Sequence, residues 1–341
     1  MHVRSASVVA FPILFAALAI VALTVGCDGP AVPPLLVTVY VPGRSRSIEA
    51  LVDGIRDAIA QSRPVELTVQ VAGDPESTGL ETDGSGRAVT DARIGVGAVI
   101  ALTLSSDASR TTFFTAVVDP VGSGLLPSFA EEVGPAIGVA SPPPIRGLFE
   151  LVAQIPTVRV VGYLYDRSNP DATAIARLAS MAAPATGIEL VAIPFDPVSL
   201  DQAATDNAAA GLLGELLARV DALLVDGPLY GGVWIDTVID LLAESTVATI
   251  TVDPVWGAAH AALIAYGTDP AAIGRATGSV ISDSMRRDRR SYSRLRFPTG
   301  ADDLVLIVNT ASAERTGVEI PSALTDAADT VLGHEPGAAD D

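Results

Sequence analysis

Between Val158 and Val252 short aliphatic runs alternate with helical stretches at nearly even spacing, and this pattern constrains the fold more than any other feature. Val158–Tyr165, Glu189–Ile193, Ala222–Val225 and Ala248–Val252 read as strands. Pro170–Thr186, Ala208–Arg219 and Trp234–Ser245 read as the helices between them, and Arg146–Gln154 as a helix ahead of the series. Strands that are apolar throughout, rather than at every second residue, are covered on both faces. Alternation with helices then implies an α/β protein with parallel strands and right-handed crossovers.

A second series precedes this one. Leu35–Val41 and Val65–Val71 read as strands around a helix at Ile48–Gln61. Asp74–Asp91, rich in Gly, Asp, Ser and Thr, reads as a mobile loop. Val96–Leu104 and Thr112–Val118 read as two further strands, and Ser105–Thr111 is too short for a crossover helix. Downstream come a helix at Asp269–Arg286, a basic stretch Arg286–Arg296 and a strand at Leu304–Val308. Residues 328–341, mostly Gly, Pro, Ala and Asp after Leu332, read as a disordered tail. A length of 341 residues suits two domains, and 49% hydrophobic with only 5% aromatic residues makes their cores aliphatic.

The N-terminus reads as an address. Arg4 precedes an apolar run, Val8–Val25, which ends in Leu23-Thr24-Val25-Gly26-Cys27. A charged start, an apolar stretch and a small residue before the cut describe a secretory signal over residues 1–26. The segment resembles the lipobox of bacterial lipoproteins, with Thr24 where that motif carries Leu; Cys27 is then the lipidated residue and 27–34 a linker. The alternative is an uncleaved single-span anchor, since the run is near the lower limit for crossing a bilayer. Both readings place the rest of the chain outside the cytoplasm. Cys27 is the chain's only Cys, so no disulfide, iron–sulfur site or Cys nucleophile remains.

Residue inventory removes several chemistries. All 21 basic residues are Arg, so a P-loop and a Schiff-base lysine are both excluded. A net charge of −19 repels phosphate backbones and argues against nucleic acid as a partner. Of three His, only His260 lies in folded sequence, which excludes a His-rich metal site and leaves one candidate for a catalytic triad. No G-x-S-x-G elbow and no G-x-G-x-x-G after a strand occurs, and Gly122-Ser123-Gly124 reads as a strand-to-helix connection. No cofactor or metal is expected.

What remains is a set of polar residues just after strands: Asp119, Asp166 with Ser168 and Asn169, Asp226, and Asp253. In open parallel sheets ligands bind beyond the carboxyl ends of the strands, where helix N-termini offer free N–H groups. Each Asp alone is an ordinary N-cap or turn residue; their repetition at successive strand ends is the signal.

At these residues the chain resembles the ABC-transporter substrate-binding family that includes tryptophan- and tyrosine-type binding lipoproteins. The likeness is carried in order by Phe114–Leu125, Val161–Asp166 with Asn169-Pro170, Val220–Val225, Ala265–Asp269 with Ile273-Gly274-Arg275, Leu306–Asn309 and Thr316–Pro321. The resemblance implies a class I periplasmic binding protein fold, two doubly wound parallel-sheet lobes joined by a three-strand hinge, with crossings near Ser141, His260 and Tyr292. The first lobe is then 35–140 plus 261–290, and the second 141–259 plus 293–327. It implies ligand contacts at Ser45 in the Pro42–Ser47 loop, and at Asp119, Tyr165, Asp166, Ser168, Asp226, Asp253 and Trp256. Trp256, Tyr165 and Tyr230 are candidate stacking residues. The implied partners are a small organic ligand, an amino acid among the options, ABC permease subunits, and the membrane through the lipid anchor. A ligand sensor or a structural lipoprotein of the same fold is the alternative, and an enzyme using His260 ranks third. The family's helix after its third strand, and its ligand-facing N-terminus, are expected to be missing or rebuilt here, because Leu104-Ser105-Ser106 leads almost directly into the next strand.

Overall fold

A computed structural model describes residues 32–72, 90–107, 109–129, 136–197, 202–230, 239, 241–242, 245–286, 295–297 and 301–333. The signal, Cys27, and most of the Asp74–Asp91 and Trp234–Ser245 segments lie outside them. From residue 34 onward the chain is one compact unit containing two sheets.

The first lobe opens with β1 (Leu35–Val41), α1 (Arg46–Ala60), β2 (Val65–Val71), β3 (Ala92–Val96), α2 (Ala98–Ser105), β4 (Thr112–Val117) and β5 (Ala136–Ala140). The chain then crosses to the second lobe. There it forms α3 (Ile145–Val152), β6 (Val160–Asp166), α4 (Pro170–Thr186), β7 (Glu189–Phe195), α5 (Gln202–Leu217), β8 (Ala222–Val225), β9 (Ala248–Thr251), α6 (Pro254–Ala259) and β10 (Ile264–Thr268). It returns as α7 (Pro270–Arg286) and β11 (Leu295–Arg296), and crosses again into β12 (Leu304–Asn309), α8 (Thr310–Thr316), α9 (Ser322–Ala327) and β13 (Thr330–Leu332).

The first sheet runs β11-β5-β4-β3-β1-β2 and is parallel throughout. The second runs β13-β12-β10-β9-β8-β6-β7 and is mixed, because β12 is antiparallel to β10. Each sheet reverses its strand order once, between β1 and β3 and between β6 and β8. In open α/β sheets those reversals open the crevice where ligands bind.

Several expectations need correction. Val96–Leu104 is not a strand: β3 ends at Val96, and α2 follows at once. Arg93, 2% exposed in mid-strand and hydrogen-bonded to Asp107 and to the Asp107 and Arg110 carbonyls, breaks the apolar run that would have marked β3. The helix expected to be missing or rebuilt is therefore present, directly after the third strand. The division of the lobes also moves. β10 pairs with β9 and β12, so the second crossing falls after Thr268 and not near His260. β11 pairs with β5, so the third follows Arg296 and not Tyr292. Thr330–Leu332 is ordered as β13 against β12, so the disordered tail does not begin at residue 328. Gly122-Ser123-Gly124 closes a turn after β4, and residues 130–135 of the connection that follows lie outside the described residues.

One seam explains why α7 belongs to the first lobe. α1 buries Ile48, Leu51, Val52, Ile55 and Ile59 at helical spacing and lies against α7. A Cβ on Gly274 would stand 2.0 Å from the Leu51 carbonyl oxygen, and one on Gly54 2.2 Å from that of Ala271. The glycines let the two helix backbones touch.

Candidate functional site

Both sheets point the carboxyl ends of their strands into one cleft, and the residues that follow those strands line it in three chambers. The first holds about 290 Å³ and lies at both strand-order reversals. Its first-lobe wall is Pro42 after β1, Ala72 after β2 and the β3–α2 junction Val96–Ile100; its second-lobe wall is Asp166, Ser168, Asn169, Asp171, Leu229 and Tyr230. The second, about 350 Å³, lies between Arg44–Ser47 of the first lobe and Pro228, Ile239, Trp256, Ala259 and His260 of the second. The third, about 270 Å³, lies between the Asp119–Ser123 turn and Arg167, Ser168 and the first turns of α4.

The sequence builds these walls through caps. In the second lobe an Asn-Pro and an Asp-Pro pair each start a helix directly after a strand, with Pro at a position where its missing N–H costs nothing. Asn169 caps α4, accepting from the Asp171 N–H at 3.0 Å and donating to the Tyr230 carbonyl at 2.8 Å. Asp253 caps α6 through the Trp256 N–H at 3.0 Å. In the first lobe Ser45 caps α1 through the Ile48 N–H at 3.2 Å, whereas α2 starts at Gly97, which has no side chain to cap it.

Two carboxylates of the second lobe reach across the cleft. Asp171 accepts from the Ala98 N–H at 2.6 Å and from the Val118 N–H at 2.8 Å, joining α4 to the start of α2 and to the end of β4. β4 bulges beside this contact, and Ala116 there has φ +55°, a left-handed conformation that Ala rarely adopts. Asp253 accepts from the Ser47 hydroxyl at 2.8 Å, joining α6 to α1. Its second oxygen has no hydrogen-bond partner among the described residues and faces Gly227, where a Cβ would come within 3.0 Å of it.

Burial dominates the electrostatics. It pushes the Asp171 carboxyl up to about 6 against the pull of its two backbone N–H donors. It pushes Asp253 up to about 6 and Asp226 up to about 7, the latter opposed by the Tyr163 hydroxyl, which donates to Asp226 at 2.8 Å. Asp119 behaves oppositely: partial burial works against ionisation, but the Gly122 N–H and the Arg177 guanidinium hold it below the usual carboxylate range. Tyr230 is buried, and its hydroxyl meets Ser141 at the first crossing, with 3.1 Å between the two side-chain oxygens.

The residues expected to contact ligand divide into groups. Asp166 and Ser168 meet in the first chamber, Ser45 and Trp256 in the second, and Asp119 and Ser168 in the third. Tyr165, Asp226 and Asp253 line none of the three. Tyr165 is stacked on Tyr163, with centroids 5.4 Å apart; Asp226, 1% exposed, lies beneath the cleft floor on Tyr163, and Asp253, 0% exposed, is buried in its contact with Ser47. Trp256 is buried in the second lobe's core and carries His260 against its ring at 4.9 Å. Asp171 was missed. An acid in the first turn of a helix is ordinary on its own; the signal was its place two residues after Asn169, at a strand end where the sequence already collects acids.

Among the described residues no cluster of His, Cys, Asp or Glu is placed to hold a metal ion, and no helix is long and apolar enough to cross a membrane. The family model described as ABC transporter substrate binding protein matches residues 37–332, nearly the whole of both lobes. The chain belongs to the ABC transporter substrate-binding protein family. Such substrate-binding proteins are not enzymes; they hold small molecules outside the cytoplasm and work with ABC permeases.

Solved structures share the fold of this substrate-binding protein at low identity. A conserved domain protein from Vibrio cholerae is 21% identical, with a TM-score of 0.73 over 88% of this chain and 100% of its own. A Streptococcus pneumonia ABC domain in complex with L-Trp is 18% identical, with a TM-score of 0.72 over 87% and 100%. The ligand-free, open structure of a Clostridium difficile substrate-binding protein with adhesive properties is 17% identical, with a TM-score of 0.56 over 88% and 99%. No curated protein matches the chain.

Proposed function

We propose that this chain is the ligand receptor of an ABC importer, held at the membrane by a lipid on Cys27, and that it captures a small organic molecule between its lobes. The observation that carries this reading is the cleft itself. Each of its three chambers is walled by both lobes, so moving one lobe against the other opens or closes all three together. The three crossings, after Ala140, Thr268 and Arg296, are the hinge. Asp166, Ser168, Ser45, Trp256 and Asp119 are the candidate contacts among the expected residues, and Asp171 joins them. Asp226 and Tyr165 support the walls from behind, and Asp253 ties the two lobes together through Ser47. The L-Trp complex of the Streptococcus pneumonia domain makes amino acids and related amines the first ligands to try.

The test is a thermal-shift screen of the full chain in mild detergent against amino acids, amines, sugars and nucleosides. A ligand at a hundredfold excess over its dissociation constant adds about 2.7 kcal/mol of stability. A flat response to every compound overturns the reading. For the anchor, Cys27→Ser should release the protein from membranes and abolish labelling by radioactive palmitate.

A further inference from the structure

We propose that the first chamber takes an organic amine lacking an α-carboxylate, because Asp171 already occupies the anion position between the lobes. This rests on the reading of the cleft as the ligand site. The start of α2 is where a first-lobe helix offers unpaired N–H groups to the cleft, and an anion of a ligand would be drawn there. Asp171 supplies that anion from the second lobe: its two oxygens take the Ala98 and Val118 N–H groups, and its side chain is buried in the contact. A ligand carboxylate brought to the remaining N–H groups of the first turn would stand against the Asp171 charge, with no cation among the described residues that line this chamber.

The rest of the chamber asks for a donor. Asp166 is its second acid, and one of its oxygens is taken by the Ser168 N–H and hydroxyl at 2.7 and 2.6 Å. The Asn169 amide is spent on Asp171 and Tyr230, and the Tyr230 hydroxyl on Ser141. None of the described lining residues is basic. The second-lobe guanidinium groups beside it are committed elsewhere, Arg167 to Asp196 and Arg177 to Asp119, and Arg44 and Arg46 of the first lobe line the second chamber instead. Carboxylate oxygens with lone pairs to spare, set among Pro42, Val96, Ile100 and Leu229, fit an ammonium or amidinium group carried on an apolar body.

Matched pairs differing only in the α-carboxylate test this directly: tryptamine with L-tryptophan, tyramine with L-tyrosine, and agmatine with L-arginine, titrated calorimetrically into the full chain in mild detergent. The expected result is at least tenfold tighter binding of the amine in one or more pairs. Asp166→Asn should weaken that amine at least fivefold. Asp171→Ala should shrink the preference over the amino acid at least tenfold by freeing the start of α2. Should that variant fail to fold, Asp171→Asn, which keeps the shape and removes the charge, should shrink it as well. Equal or tighter binding of the amino acid in the unmodified chain overturns the inference and leaves the receptor reading standing, as does binding of a sugar or nucleoside with none of the pairs. No binding of any compound overturns both.

Discussion

The two faces of the cleft are built from the same fold and carry opposite chemistry. The first lobe presents donors: the uncapped start of α2, the Val118 N–H beside the β4 bulge, the Ser47 hydroxyl, and Arg44 and Arg46. The second presents carboxylates at the ends of its strands and the starts of its helices: Asp166 in the first chamber, and Asp171 and Asp253 bonded to the first lobe. Among the described ion pairs, Asp119–Arg177 runs the other way, and it is partly exposed. The difference teaches that closure here is an acid–donor match between lobes, made in a place dry enough to raise the pKa of the two carboxyls that make it, Asp171 and Asp253. Solvent opening the cleft would erase both the match and the shifts.

The largest expected effect is therefore of pH. A carboxyl whose native pKa lies above its ordinary 3.8 keeps its proton in the folded chain where the unfolded chain has lost it. Folding then takes up protons, and stability falls as pH rises from about 4 through 6 for Asp171 and Asp253 and through 7 for Asp226. Each contributes on the order of 3 kcal/mol across that window. Denaturant unfolding at pH 5.5 and pH 8 should show the protein several kcal/mol more stable at the lower pH; a flat profile would mean that the second lobe's acids are as wet as Asp119.

Next comes Asp171→Ala, which leaves two backbone N–H groups without acceptors and should cost about 3 kcal/mol. Small-angle scattering should show the variant more extended, and unchanged dimensions would remove Asp171 from the closing contact. Ser47→Ala deletes one hydrogen bond to a buried carboxylate and should cost about 2 kcal/mol in the same unfolding measurement. Arg177→Ala breaks an ion pair in which the guanidinium is 58% exposed, and should change stability by less than about 0.5 kcal/mol. If Arg177→Ala matched Ser47→Ala, the contrast between buried and exposed ties would fail.

Much of the fold was legible because aliphatic strands flanked by polar turns announce themselves. β1, β2 and β8, and the helix α4, have the bounds that periodicity gives. The errors share a physical origin. β3 was hidden because Arg93 interrupts it, its charge answered by Asp107 fourteen residues away. α2 was mistaken for a strand because Ala98–Leu104 is apolar almost throughout, and such a run carries no period. β10 was assigned to the wrong lobe because pairing partners forty residues distant, at β12, leave no local trace. At the site, sequence located the strand ends correctly but could not tell a carboxylate that faces the cleft, such as Asp166, from one that is covered, such as Asp226. That distinction depends on Tyr163, which reaches Asp226 from a different strand.

The seam between α1 and α7 has a consequence for how the molecule is assembled. The partner of α1 is supplied more than two hundred residues after it, and the outer edge of the first sheet waits for β11. A ribosome that has produced the whole first run of five strands has thus produced half an object, with the groove around Gly54 still vacant. Neither lobe can be excised by a single cut, and the two must reach completion nearly together, late in synthesis.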